Sequence, residues 1–358
     1  MTHVFVAPHP DDVALSCGGL IASLRELGQN VAILTLYSGT GNADRLTPYQ
    51  REALGFGSKA VWPATEAFNR AHLQADFPDD ADAAPWAASK DRLDATQADV
   101  DAAAKRFWQR SSWYRRAQIH NQSLAGQAVM DDIAPQGALL TTERMEAVAA
   151  GDTMAERRLE DERFAAFAET AIIWLDLPDA VFRGYEGDEQ LLGAPREDDP
   201  APVDLLRREL ARLEVSRVYL PLGIGGHVDH QLTRDAGLAL LSDEPARVMG
   251  SPSLVGRMVF YEDFPYAWWE DFGRLDDLPG GGLAGLPAGV SLEAEFADVG
   301  DQLERKIRGV ALYESQIDRL FGGTTEMADA VRGYAARVAD LGQVPNGAAE
   351  RYWVTTLA

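Results

Sequence analysis

The sequence predicts an α/β protein built on a doubly wound, mostly parallel sheet. Residues 3–7 form a short apolar run, residues 13–27 repeat apolar side chains at helical spacing, and residues 31–37 form a second apolar run. A strand, a helix and a strand in this order make a βαβ unit, whose two strands are parallel. In sheets of this kind, ligands bind beyond the carboxyl ends of the strands.

The later part of the chain repeats the helix-then-strand order, which extends the same sheet. The expected elements are helices over residues 153–168 and 203–213, strands over 171–175, 215–220 and 259–261, and a closing helix over 303–320.

Residues 43–150 interrupt this order and contain four of the eight tryptophans. A structureless loop of that length is anomalous inside a compact domain, so we expect a folded insert. Leu93, Val100 and Phe107 recur at seven-residue spacing, which indicates a largely helical insert. We therefore interpret residues 1–358 as one domain whose insert forms a lid or an oligomerisation subdomain, with homo-oligomers as the partner expected in the second case.

Charge and cysteine content exclude several classes of partner. The chain of 358 residues carries 33 Lys+Arg against 56 Asp+Glu, a formal net charge of −23. Nucleic acid and anionic membrane surfaces are therefore not expected as partners. The lone Cys17 allows no disulfide framework, and the apolar run at the N-terminus is too short to span a membrane. We expect a cytoplasmic protein.

The first polar cluster follows the first predicted strand directly. His9, Asp11 and Asp12 place one imidazole and two carboxylates within four residues, and Pro10 stiffens the turn. Such a set suits a metal ion or acid–base chemistry. The alternative is a plain turn in which Asp11 or Asp12 caps the next helix.

The second cluster, His227, Asp229 and His230, also follows a predicted strand. Taken alone it is explained equally by a hydrogen-bonded histidine pair in a loop. Because both clusters follow strands that should be neighbours in one sheet, we expect them to form a metal site. Nitrogen and oxygen donors without a thiolate fit a catalytic zinc ion, although Fe²⁺ and other divalent ions accept the same donors.

These residue types also allow hydrolysis. A metal ion lowers the pKa of its bound water towards ~7, and a carboxylate that is not a ligand can take the proton. One aspartate of the first cluster can thus bind the metal while the other acts as base. Likewise one histidine of the second cluster can bind while the other stabilises an oxyanion or protonates a leaving group.

The two clusters resemble the signatures of a known family. The His-Pro-Asp-Asp stretch at 9–12, followed by Ser-Cys-Gly-Gly at 16–19, and the Gly-Gly-His-Val-Asp-His stretch at 225–230 are similar to motifs of the LmbE-like, or PIG-L, zinc-dependent N-deacetylases. The resemblance implies a Rossmann-like three-layer fold. It also implies hydrolysis of an N-acetyl group on a glucosamine-type substrate, such as an N-acetylated sugar or glycoconjugate.

The resemblance also assigns roles to individual residues. It implies that the zinc ligands are His9, Asp12 and His230, that Asp11 is the general base, and that His227, supported by Asp229, stabilises the oxyanion or protonates the amine. Candidate substrate contacts are Ser16, Arg158 and Asp179. The chain departs from the pattern at Gly225, where some deacetylases carry a tyrosine that assists the oxyanion, so such a donor must come from elsewhere.

Two other functions compete with deacetylation. One is metal-dependent hydrolysis of another bond, such as a phosphoester or a different amide. The other is a non-catalytic metal- or sugar-binding protein on the same fold. Asp11 separates the second alternative from an enzyme, because a binding protein has no need of an unligated carboxylate beside the metal.

Overall fold

The computed structural model describes residues 1–39, 153–243, 254–269 and 283–357. The chain divides into two compact units, one formed by Met1–Arg45 with Glu160–Ala358 and the other by Leu46–Leu159. The insert predicted over residues 43–150, with its helix and its lid or oligomerisation role, lies outside the described residues.

The first unit contains a seven-stranded sheet. Its strands are β1 (Thr2–Ala7), β2 (Asn30–Thr35), β3 (Ala171–Trp174), β4 (Val215–Pro221), β5 (Met258–Tyr261), β6 (Val290–Asp298) and β7 (Ala349–Leu357).

Helices separate most of these strands in the described ranges. They are α1 (Asp12–Glu26), α2 (Thr153–Ala168), α3 (Asp188–Leu191), α4 (Val203–Ala211), α5 (Val228–Ser242), α6 (Tyr266–Trp269), α7 (Leu303–Val310), α8 (Glu314–Phe321) and α9 (Thr324–Gly342), with short 3-10 turns at Ala180–Arg183 and Gly300–Gln302. None of the helices described is long and apolar enough to cross a lipid bilayer.

The strand order is β3-β2-β1-β4-β5-β7-β6. The first five strands are parallel, whereas β7 pairs antiparallel with both β5 and β6. This arrangement confirms the predicted α/β fold with a mostly parallel sheet. Strands β1 and β4, which precede the two polar clusters, are direct neighbours.

The apolar run of β1 is continuous because both faces of this strand are covered. Val4 and Val6 pack in a core on one face of the sheet, whereas Phe5 and Ala7 pack in a second core on the opposite face. Because side chains alternate along a strand, a strand covered on both faces needs apolar residues at every position. The burial of β1 therefore places its carboxyl end in the interior of the unit.

The C-terminal part differs from the prediction. The helix expected over 303–320 is two helices, because the chain breaks after α7 and the buried Tyr313 turns its hydroxyl to Asp161, 2.8 Å away. The last element described in the chain is not a helix but strand β7, which lies between β5 and the edge strand β6. Its apolar pattern is masked by Glu350 and Arg351, which are buried and paired with Lys306 and Glu262.

Candidate active site

Four parallel strands deliver the site residues to the same edge of the sheet. His9 follows β1, Asp179 follows β3, and the loop after β4 leads into His227 and His230 at the start of α5. Asp263 follows β5. The two clusters predicted from sequence are therefore brought together, as the pairing of β1 with β4 requires.

Asp12 lies between the two predicted histidine ligands. Its Oδ2 atom is 3.3 Å from Nδ1 of His9 and 3.4 Å from Nε2 of His230. The same oxygen accepts a hydrogen bond of 2.8 Å from the backbone amide of His9, which fixes the carboxylate in this place. All three side chains are buried.

These separations suit coordination of one cation. Nitrogen or oxygen ligands at about 2.05 Å from a tetrahedral ion lie about 3.3–3.4 Å from one another. Two further groups of three residues have ligand atoms within 4.8 Å of one another, and both include His9. The first group is His9, His227 and His230, and the second is His9, Asp179 and Asp229. The cluster could thus hold a divalent metal ion.

Asp229 contacts His9 rather than the ring of His227. Its Oδ2 atom lies 2.9 Å from Nε2 of His9 and accepts a 3.0 Å hydrogen bond from the amide of Ala180. Towards His227 it offers only its backbone amide, which donates to Nδ1 at 3.3 Å. The carboxylate therefore orients His9, and the support expected for His227 comes from the backbone.

Arg183 is a residue that sequence reasoning missed. Its guanidinium donates to Oδ1 of Asp229 at 2.5 Å and to both oxygens of Asp199 at 3.0 and 3.1 Å. It also lies over the ring of Tyr37, 4.6 Å from the centroid. Arg183 compensates the charge of Asp229, whose side chain is fully buried.

Asp263 is the second residue that sequence reasoning missed. Its Oδ1 atom lies 2.7 Å from Nδ1 of His230. An acidic residue two positions after a predicted strand was a usable signal, because both predicted clusters also follow strands. A carboxylate on the far ring nitrogen of a histidine typically fixes the tautomer that leaves the other nitrogen free for a metal.

Buried charges shift the pKa values in this cluster. Burial alone would lower the pKa of His9, but the carboxylates of Asp179, Asp12 and Asp229 raise it to about 10. Burial also opposes ionisation of Asp12, yet His230 and His9 hold its pKa well below the usual range. The cluster thus keeps negative charge in the interior, which a bound cation would compensate.

Asp11 has an unusual backbone. Its φ of 102° lies in the left-handed region, which is costly for a residue other than glycine. Although Asp11 precedes α1, its side chain makes no capping hydrogen bond to that helix. The simple N-cap explanation therefore does not apply to Asp11, which lies buried beside His9 and Asp12 in the chain.

The three candidate substrate contacts lie in different surroundings. Asp179 is within the cluster, with Oδ2 3.5 Å from Nε2 of His9, and its Oδ1 accepts the amide of Val181. The Ser16 hydroxyl accepts a 3.1 Å hydrogen bond from the amide of Phe264. Arg158 is half-buried on α2. Their roles towards a substrate stay predictions.

The fold and the histidine–aspartate cluster define a class, an α/β protein with a candidate metal site at the carboxyl edge of its sheet. Residues 4–80 match the family model of PIG-L, described as GlcNAc-PI de-N-acetylase. The resemblance to the PIG-L (LmbE-like) family is thereby confirmed.

One curated relative is the 2'-N-acetylparomamine deacetylase of Streptomyces fradiae. It is 30% identical over 175 residues, which cover 46% of this chain and 55% of the relative. The chain thus spans about half the length of this relative.

Solved structures of a deacetylase of teicoplanin biosynthesis have the same fold. Its triple mutant superposes with a TM-score of 0.56 at 20% identity, covering 100% of this chain and 99% of the other. The zinc-inhibited form of teicoplanin deacetylase gives a TM-score of 0.55 at 20% identity with the same coverage.

Proposed function

We propose that this protein is a zinc-dependent N-deacetylase that hydrolyses the acetamide of an N-acetylated amino sugar or glycoconjugate. The observation that carries the proposal is the position of Asp12 between His9 and His230, at ligand-to-ligand distances, next to the strained and buried Asp11. A binding protein has no use for that second carboxylate.

The ligand set of the proposal is His9, Asp12 and His230. Asp229 is a weaker candidate for a ligand, because Arg183 and the amide of Ala180 already occupy its oxygens. Three protein ligands leave a coordination position open, as in catalytic zinc sites. When bound, the ion would polarise the acetamide carbonyl and lower the pKa of a water molecule.

The proposed ion is zinc, because three nitrogen and oxygen ligands with an open position are the pattern of catalytic zinc sites. Fe²⁺ and other divalent ions accept the same donors and are the alternatives. The metal content of the purified protein distinguishes them.

The residues of the chain perform the proton transfers. Asp11 takes a proton from the water that attacks the carbonyl carbon. The nitrogen receives this proton by way of the His227 ring, the C–N bond breaks, acetate and an amine leave, and Asp11 is a carboxylate again. The ring of His227 lies 4.9 Å from that of His9 and 5.2 Å from that of His230, centroid to centroid. Burial and the charge of His9 hold the pKa of the His227 ring well below its ordinary value, so the ring is neutral. Its place beside the ligands suits relay of the proton from Asp11 to the departing amine.

The substrate class is supported by the curated relative, whose name describes removal of the acetyl group from 2'-N-acetylparomamine. Within the site, the carboxylate of Asp179 is a suitable acceptor for sugar hydroxyl groups.

Acetate release from a panel of N-acetylglucosamine conjugates tests the function. We expect activity in the zinc-loaded protein, and in Asp11→Asn we expect unchanged zinc content with a loss of about 10²–10⁴-fold in kcat. Asp301→Asn, which changes an exposed aspartate, is the matched control. His230→Ala should lose zinc. Full activity in Asp11→Asn, or unchanged zinc content in His230→Ala, would contradict the site assignment.

A further inference from the structure

Tyr266 lies directly over the loop that precedes His227. It is the first residue of α6, and its ring is perpendicular to that of His230 at 5.7 Å between centroids. A Cβ atom at Gly225 would overlap the ring of Tyr266 and lie only 2.8 Å from its Cβ. The tyrosine therefore occupies the space that a side chain at position 225 would need.

The ring of Tyr266 packs against His230 and Trp269. Among the residues that the structure describes, none accepts a hydrogen bond from its hydroxyl group. The ring lies against His230 and over Gly225, which places the side chain beside a proposed metal ligand. Burial, followed by the charge of Asp12, raises the pKa of the phenol, so the hydroxyl group is protonated at neutral pH.

Addition of water to an acetamide creates a negative charge that needs a donor. As the new C–O bond forms, the π electron pair of the carbonyl moves onto its oxygen. A preorganised donor in a site that excludes water stabilises this charge far more than the neutral carbonyl. When the C–N bond breaks, the electron pair re-forms the carbonyl, so the donor keeps its own proton.

We propose that Tyr266 is this donor and that its phenol hydrogen-bonds the oxyanion of the tetrahedral intermediate. The proposal rests on the proposed deacetylase function. It accounts for the glycine at position 225, because the tyrosine from the segment after β5 fills the place that a side chain there would take. The oxyanion donor is thus supplied by a neighbouring loop instead of the loop that carries His227.

Tyr266→Phe tests the proposal, because it removes one oxygen atom and keeps the ring on Gly225. We expect kcat for acetate release to fall by about 10²–10³-fold, with KM changed less than about threefold. Zinc content and the urea midpoint of unfolding should match the parent. Tyr219→Phe is the control, since that hydroxyl pairs with His3 at 3.1 Å, away from the cluster.

Binding supplies a readout that does not depend on turnover. A phosphonate analogue that mimics the tetrahedral intermediate should bind about 10²–10³-fold more weakly to Tyr266→Phe in calorimetry. The amine product should bind equally to both proteins, because it carries no oxyanion.

The outcomes separate the two proposals. A parent protein that neither releases acetate nor binds the phosphonate overturns the deacetylase function, and the role of Tyr266 with it. An active parent with a Tyr266→Phe variant of equal kcat and equal phosphonate affinity overturns only the role of Tyr266. Loss of zinc in that variant also overturns it, because Tyr266 would then act by holding His230.

Discussion

The carboxylate of Asp263 contacts His230 and the loop before His227 at the same time. Its Oδ1 lies 2.7 Å from Nδ1 of His230, and its Oδ2 accepts hydrogen bonds from the amides of Gly223 and Ile224 at 2.8 and 3.0 Å. One side chain after β5 therefore orients a proposed metal ligand and fixes the loop that leads to the second cluster.

Asp263→Asn should weaken zinc binding by about 10–100-fold, because the amide orients His230 less firmly and lowers its basicity. Competition with a chromophoric chelator measures the affinity. Asp301→Asn, in an exposed position, should keep the affinity of the parent. Equal zinc affinity in Asp263→Asn would show that the contact with His230 does not influence the metal.

Arg183→Met should reduce the free energy of unfolding by about 3–5 kcal/mol, because it leaves the buried charge of Asp229 without its guanidinium. Urea denaturation measures the change. The control is Arg332→Met, which removes an exposed ion pair with Glu304 and should leave the free energy of unfolding close to that of the parent. Equal losses in both variants would mean that Asp229 does not depend on Arg183.

Gly225→Ala should destabilise the protein by about 1–3 kcal/mol, since the new methyl group overlaps Tyr266 and the φ of +83° disfavours a side chain. Gly28→Ala is a matched control, with a φ of +69° and no atom within 4 Å of the added Cβ. Gly28→Ala should reduce the free energy of unfolding by only about 1 kcal/mol, because alanine disfavours the positive φ but meets no neighbouring atom. In a protein that already carries Tyr266→Ala, the change Gly225→Ala should reduce the free energy of unfolding by less than it does in the parent, because the overlapping ring is gone. Additive losses would argue against the overlap.

Cys17 should resist thiol reagents in the folded protein. Its side chain is completely buried, and burial followed by the charge of Glu350 raises the pKa of the thiol well above its ordinary value. Since the thiolate is the reactive form, labelling by an aromatic disulfide at pH 8 should be negligible without denaturant. In urea one thiol per chain should react. Rapid labelling of the folded protein would place Cys17 in contact with solvent.

Strand and helix positions near the site followed from local patterns. The apolar run of β1 and the Gly28 that ends α1 were recognisable because burial on two faces and a left-handed residue after a helix leave clear signals. Strand β7 was missed, because Glu350 and Arg351 look exposed until their partners on other elements are known.

The sequence by itself determined which titratable residues lie in the candidate site, because His9, Asp11 and Asp12 lie directly after one buried strand and His227 and His230 directly after another. Local spacing was enough for that conclusion, since parallel strands end at a common edge. Only the tertiary structure decided the partners: Asp229 turns to His9, Arg183 neutralises Asp229, Asp263 orients His230, and Tyr266 covers Gly225. These choices depend on angles and distances between loops far apart in the chain, which no local pattern encodes.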